Sequence, residues 1–300
     1  MDWALRYSPH VGYAPADRLL FRDLAGSDRA AHVRFAAREG MAGILYPWAV
    51  DGPAAERRAV KEALQETGLE CSLIVSTPLA AVMEPVWVAD GGGAQAKLLG
   101  YVTDALRVAK DLGSTNLAVL IRSDGRTAAA VQRRRAIDRL RAAADLAAAE
   151  DVVLAVEPMI VLPDMLLRNF ADGVELVRAA AHPAIKLIFD TGHVTQMGDP
   201  LLSTYVSAYD DVSLLQLADM PGRVEVGGGQ IDFVPLLAHA IRRGYGGLVD
   251  LEHDWSQPGA AGERRGIEQL ATIDARARQS AWRTPSASEN GEHDGIDKRG

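Results

Sequence analysis

Three hundred residues, 48% of them hydrophobic, are enough for one large core or two small ones, and a single barrel of roughly 250 residues also fits. A formal net charge of -8 repels a phosphate backbone at long range, which disfavours nucleic acid and leaves small molecules as the expected partners. The lone cysteine, Cys71 in the apolar run ECSLIVS, excludes a disulfide framework and reads as a core residue in a reducing compartment.

The N-terminus MDWALRYSPH lacks a basic region followed by an apolar stretch, and no segment reaches the roughly 18 uninterrupted apolar residues that span a bilayer. A soluble, cytoplasmic protein without membrane association is expected. Along the chain, short apolar runs alternate with longer alanine-rich amphipathic segments. The runs are WALRY (3–7), AGILYP (42–47), CSLIVS (71–76), NLAVLI (116–121), VVLAVE (152–157), IKLIFD (185–190), VSLLQLA (212–218) and GLVDLE (247–252). Between them lie helical patterns such as DRAAHVRFAAREG, AAERRAVKEALQETG and RRRAIDRLRAAADLAAAE, several closed by glycine. Runs without strict alternation suit strands covered on both faces, as in a parallel sheet. Eight such units predict one (β/α)8 TIM barrel over residues 1–278, with a doubly wound open sheet as the alternative. The segment PVWVADGGGAQAK (85–97) is expected to be the loop after the third strand, and residues 279–300 a disordered tail.

In a parallel barrel the C-terminal strand ends converge on one mouth. Glu157, Asp190, Gln216 and Glu252 end, or nearly end, the fifth to eighth runs, each about one strand plus helix from the next. Three carboxylates and one amide carbonyl, partly buried together, repel one another and take up protons unless a cation relieves them. All-oxygen ligation favours Mg²⁺ or Mn²⁺ ahead of Zn²⁺ or Co²⁺. Ion pairing and helix capping are the alternative uses of such strand-end residues. His193, a helical turn beyond Asp190 with Gln196, is placed to touch a substrate or orient a ligand. His253 falls on the opposite side of its strand from Glu252 and is read as structural, whereas His10 ends the first run at the mouth. Arg223 offers a planar fork suited to a carboxylate or phosphate, although Glu225 could simply neutralise it. The triple glycine 227–229 opens no βαβ unit, so it reads as a loop that folds close to a ligand or moves as a lid.

With these residues in view, the chain resembles the xylose-isomerase-like TIM-barrel superfamily, within it the hydroxypyruvate isomerase and sugar epimerase branch. The carrying motifs are Glu157-Pro158, Asp190 with His193 in FDTGHVTQ, QLADMPGR from Gln216 to Arg223, and Glu252 closing GGLVDLE. The resemblance implies a single divalent ion on Glu157, Asp190, Gln216 and Glu252, with Arg223 and His193 at the substrate. It is compatible with a homo-oligomer. The chain departs from the branch at Met159 and Ile160, at GGGQ, and at His253. Those changes alter the pocket rather than the ligand set, so the expected reaction is kept while hydroxypyruvate as substrate is not assured.

An ion chelating a carbonyl and its neighbouring hydroxyl acidifies the C–H between them and stabilises an enediolate. Glu157 and Glu252 then pass the proton as acid and base. The expected activity is therefore isomerisation or epimerisation of a small, sugar-like hydroxy-carbonyl compound. Alternatives are a metal-dependent lyase of the C-glycoside deglycosidase type, a barrel that only binds its ligand, and a DNA-repair endonuclease, for which the histidines are too few.

Overall fold

Some helices begin on a capping side chain and others stop on a glycine. The computed structural model describes residues 1–13 and 18–282. The first half comprises β1 (Arg6–Pro9), α1 (Arg22–Ala25), α2 (Arg29–Arg38), β2 (Gly43–Ile44), α3 (Ala54–Thr67), β3 (Glu70–Cys71), β4 (Ile74–Val75), α4 (Leu79–Val82), α5 (Gly92–Leu112) and β5 (Asn116–Val119). There follow α6 (Ala129–Ala148), β6 (Val153–Val156), α7 (Phe170–Ala180), β7 (Ile185–Asp190), α8 (Thr191–Met197), α9 (Leu201–Ala208), β8 (Val212–Leu217), α10 (Val234–Arg242), β9 (Leu248–Leu251) and α11 (Ala260–Ala281). Asp28 caps α2 by accepting from the Ala30 N–H, and Asn169 caps α7 by accepting from Asp172. Gly68 and Gly113 stop α3 and α5 at a φ of 71°, a left-handed conformation that costs glycine nothing.

All strand pairs are parallel. Seven strands run in the order β1-β9-β8-β7-β6-β5-β4, and β2 pairs with β3. Backbone bonds close the ring: Ala42 N–H to Tyr7 C=O and Leu45 N–H to Pro9 C=O join β2 to β1, and Val75 N–H to Pro47 C=O joins β4 to the end of β2. The third run is thus two short strands sharing one position in a TIM barrel, interrupted at Ser72 and Leu73. The expected loop at 85–97 also gives way, because α5 already starts at Gly92. Gln279 to Ala281, expected in the tail, complete the last turn of α11, and residues 283–300 lie outside the described residues.

Two apolar layers hold the barrel. Leu45, Leu73, Val75, Ala118, Ala155, Ile188, Leu214 and Leu248 fill its interior, and a larger cluster packs the outer wall against the helices. Behind β7, Phe189 meets Phe170 edge-to-face and Tyr205 at a tilt, at 5.0 and 4.9 Å between centroids. Cys71 is buried, and burial pushes its thiol up to about 12, as befits an inert core residue. Strand alternation positions the site: Ile188, Leu214 and Leu248 face inward, so Asp190, Gln216 and Asp250, two residues on, face inward as well. An apolar plug is thereby topped by a polar level at the C-terminal mouth. Among the described residues, no helix is long and apolar enough to cross a membrane.

Candidate active site

Glu157 follows β6, and its N–H extends the ladder to Val119 C=O; Glu252 follows β9, with its N–H on Leu217 C=O. Asp190 ends β7 in register with Gln216 on β8. Asp190 Oδ1 caps α8 by accepting from the His193 N–H at 2.8 Å, which turns the His193 ring towards Glu157. His193 Nε2 stands 3.4 Å from Glu157 Oε1. The Thr191 hydroxyl donates to Ala218 C=O and accepts from Ala218 N–H, both at 2.9 Å, locking the end of β7 to the end of β8. A Cβ at Gly192 would lie 2.9 Å from Arg223 Nη1, so glycine there is what lets the guanidinium approach.

Arg223 enters this cluster, and its partner is not Glu225. Its Nη2 lies 2.8 Å from Asp190 Oδ2 and 3.2 Å from Glu252 Oε1, and Nη1 lies 3.3 Å from Asp190 Oδ1. Glu225 is held instead by the Ser256 N–H and hydroxyl, at 2.7 and 2.6 Å. The other face of the guanidinium lies over the Tyr13 ring, 5.6 Å from its centroid.

Asp219 explains how Arg223 is aimed. Its buried carboxylate accepts from the N–H groups of Met220, Gly227, Gly229 and Ile231 at 2.8 to 2.9 Å, while its backbone pairs with Val224. A Cβ on Gly229 would lie 2.5 Å from Asp219 Oδ1, so the glycines admit the loop's own carboxylate, which latches the loop. Arg223 sits on this latch at a left-handed φ of 51°. Asp219→Ala should leave four N–H groups without their acceptor and cost on the order of 3 kcal/mol in urea unfolding. A cost below about 1 kcal/mol would mean that the latch is dispensable.

The charge state follows from burial. Burial first, then the charges of Glu252 and Asp190, raises Glu157 well above the usual carboxylate range. Burial raises Glu252 to about 8, with Arg223 opposing it. Burial also works to raise Asp190, but the Arg223 and His193 contacts outweigh it and hold that carboxyl below its ordinary value. Burial lowers His193, keeping the imidazole neutral. The guanidinium of Arg223 thus pairs with two of the three carboxyls, Asp190 and Glu252, while Glu157 faces His193. Two of the cluster's oxygens, Glu157 Oε1 and Gln216 Oε1, are buried without a hydrogen-bond partner, as is His193 Nδ1. Unpartnered acceptors in an acidic cluster fit a divalent cation, which needs lone pairs and excess negative charge. Among the described residues, the ligand atoms of Glu157, Asp190 and His193 all lie within 4.8 Å of one another.

The remaining expectations sort by strand side. His253 packs outside the barrel wall, its ring 5.1 Å from that of Trp255. His10 is buried with both nitrogens engaged, by His253 C=O and the Gly12 N–H, and burial lowers it to about 3. Asp250 is the inward residue that the sequence reading missed. It stands two residues before Glu252, fully buried, between Gln216 and Ser8, and burial raises it to about 7. A charged residue amid the apolar LVDLE run was the available signal.

The model of the xylose isomerase-like TIM-barrel family matches residues 33–273. A family 2 AP endonuclease from Brucella melitensis superposes with a TM-score of 0.74 at 21% identity, over 86% of this chain and 96% of that one. A 3-keto-D-glucoside 4-epimerase from E. coli gives 0.71 at 17%, over 90% and 99% of the two chains. A D-allulose 3-epimerase from Methylomonas sp., solved with D-allulose, gives 0.70 at 19%, over 92% and 98%. Comparison with curated protein sequences returns no match. With parallel strands ringed by helices, acids gathered at the C-terminal mouth and a family match across most of its length, the chain belongs to the xylose isomerase-like TIM-barrel family.

Proposed function

We propose that this chain is a divalent-metal-dependent isomerase or epimerase of a small hydroxy-carbonyl compound, sugar-like or hydroxypyruvate-like. The observation that carries this reading is the grouping of buried Glu157 with Asp190 and His193, with Glu252 tied to Asp190 through Arg223 and with Glu157 Oε1 and Gln216 Oε1 buried without a hydrogen-bond partner. Glu157, Asp190, Gln216 and Glu252 are the proposed metal ligands, and their all-oxygen character favours Mg²⁺ or Mn²⁺ over Zn²⁺ or Co²⁺. When bound, such an ion supplies positive charge against the oxygens that become negative as a carbon-bound proton leaves.

Glu157 Oε1 takes that proton, and Glu252 returns one to the neighbouring carbon or to the opposite face of the same carbon. Burial raises both carboxyls above the ordinary carboxylate range, Glu252 to about 8, which strengthens each as a proton acceptor once it is ionised. The neutral imidazole of His193 donates to a substrate oxygen. Arg223 holds Asp190 and Glu252 in place and presents its remaining donors to a substrate carbonyl or carboxylate. Its side chain is 19% exposed, the more open face of the pair it forms with Asp190. Arg223→Lys is expected to lower turnover at least about tenfold, because a point charge cannot hold both oxygens of a carboxylate. Steady-state kinetics on the identified substrate check this, and unchanged kcat/KM would remove Arg223 from the reaction.

The similarity to an AP endonuclease raises a nucleic-acid reading, but the cluster contains His193 alone among histidines, and the chain carries a net charge of -8. The test is metal analysis of the purified chain, then a screen of hydroxypyruvate and three- to six-carbon ketoses for incorporation of deuterium from heavy water. Metal together with exchange supports the reading. Metal-dependent cleavage of a C-glycoside without exchange would favour the lyase, and ligand binding with neither would favour the non-catalytic barrel.

A further inference from the structure

Asp250 is 0% exposed and lies inside the barrel, where an unpaired carboxylate is costly. It stands in register with Gln216 on one side and Ser8 on the other. The Ser8 hydroxyl donates to Asp250 Oδ1, and Gln216 Nε2 donates to Asp250 Oδ2 at 3.3 Å. A side-chain amide has nearly the same shape with its oxygen and nitrogen exchanged, so packing alone does not choose between the two orientations. Ionised, Asp250 does choose, because only the NH2 end of the amide can donate to a carboxylate, and a cation bound nearby favours that form. With Nε2 committed to Asp250, Gln216 Oε1 is left buried and without a partner, on a side chain whose other register neighbour is Asp190.

We propose that Asp250 is a positioning residue that fixes the Gln216 amide with its carbonyl oxygen towards the ion-binding cluster. The inference rests on the reading of Gln216 as a metal ligand. Without Asp250 the amide can turn its NH2 end to the cation, which replaces an attractive dipole with a repulsive one. Ser8 supports the arrangement by holding the second Asp250 oxygen.

The test is titration of the metal-free full chain with Mn²⁺ alone, by calorimetry and by loss of the free-ion resonance signal. Wild-type chain that takes up no Mn²⁺ would sink the metal reading itself, independently of Asp250. Given binding, Asp250→Asn should weaken Mn²⁺ roughly 10- to 100-fold, the usual effect of losing a group that orients a ligand. The discriminating arm is a double-mutant cycle. In a Gln216→Ala background the Asp250→Asn effect should shrink to about twofold or less, since no amide remains to be oriented. A loss of undiminished size in that background would mean that Asp250 acts only by its charge, and an unchanged affinity in the single variant would mean that it only packs the barrel; either overturns the proposal. Should Asp250→Asn fail to fold, Ser8→Ala is titrated in the same cycle. It should weaken Mn²⁺ in the presence of Gln216 and not in its absence, and an unchanged affinity with Gln216 present overturns the proposal as well.

Discussion

Asp190→Ala is expected to abolish stoichiometric binding of a divalent metal. Asp190 is tied to three members of the cluster: it is in register with Gln216, accepts from the His193 backbone N–H and takes both arms of Arg223. Its carboxyl is also held below the ordinary range despite burial, so it enters any complex already ionised. The alanine variant loses more than a ligand. It removes the α8 cap, worth about 1 kcal/mol, and leaves the guanidinium of Arg223 beside Glu252 alone. Asp190→Asn separates these effects, since an amide oxygen can still accept from His193 N–H while the charge is gone. Both variants should lack bound metal by elemental analysis. Both should also lose the stabilisation that ion at about 100 times its Kd confers on wild type, about 2.7 kcal/mol by mass action. Without metal both variants should melt lower than wild type, since each leaves the Arg223 guanidinium without its closest carboxylate, and the alanine variant lower still for the lost cap. An asparagine variant that keeps one ion per chain would take Asp190 out of the ligand set.

The strand ends of the site were legible because a parallel barrel turns sequence spacing into proximity. Four polar residues closing four successive apolar runs face one mouth: Glu157 groups there with Asp190 and His193, Gln216 is in register with Asp190, and Glu252 reaches Asp190 through Arg223. Periodicity was silent about the interior. Asp250 shares its inward face with Glu252 and Gln216, but LVDLE reads equally as an apolar run with a charged end, and its partner Ser8 is over two hundred residues away. The third run misled for a related reason. CSLIVS is continuous in hydrophobicity, yet Ser72 N–H is drawn to Ile44 while Val75 N–H goes to Pro47, and the ladder breaks between them.

The loop after β8 could not be read from spacing at all. The sequence reading put Arg223 at the substrate and kept pairing with Glu225, two residues on, as the alternative. Four N–H groups converging on Asp219 fold the intervening glycines back, and the left-handed backbone at Arg223 sends its side chain into the barrel mouth while Glu225 turns to Ser256. Direction there is decided by hydrogen bonds to one carboxylate, and no propensity scale carries that information. The outcome matters for chemistry, because it puts the one guanidinium of the cluster between two carboxylates that would otherwise repel each other.

Glu157→Gln and Glu252→Gln are each expected to keep the fold and to lose exchange of the substrate's carbon-bound proton by about two to four orders of magnitude. Glutamine matches glutamate in size and retains an oxygen, so packing and much of the ligation survive. What disappears is the ability to hold a transferable proton. The folded chain should tolerate the change well, because burial and the neighbouring carboxylates already penalise the ionised forms of both residues, and a neutral amide carries no such penalty. The two variants should still differ in detail. Glu157 Oε1 lacks a hydrogen-bond partner and is the freer base, whereas Glu252 Oε1 is engaged by Arg223 at 3.2 Å. If Glu157 abstracts and Glu252 returns the proton, the Glu252 variant should keep the larger share of the residual washout of substrate label while forming no product, and the Glu157 variant should lose both when assayed from the substrate side. Deuterium incorporation followed by mass spectrometry, with metal content measured on the same samples, distinguishes these cases. Near wild-type exchange in both single variants would end the two-glutamate mechanism and leave the ligand-binding barrel in its place.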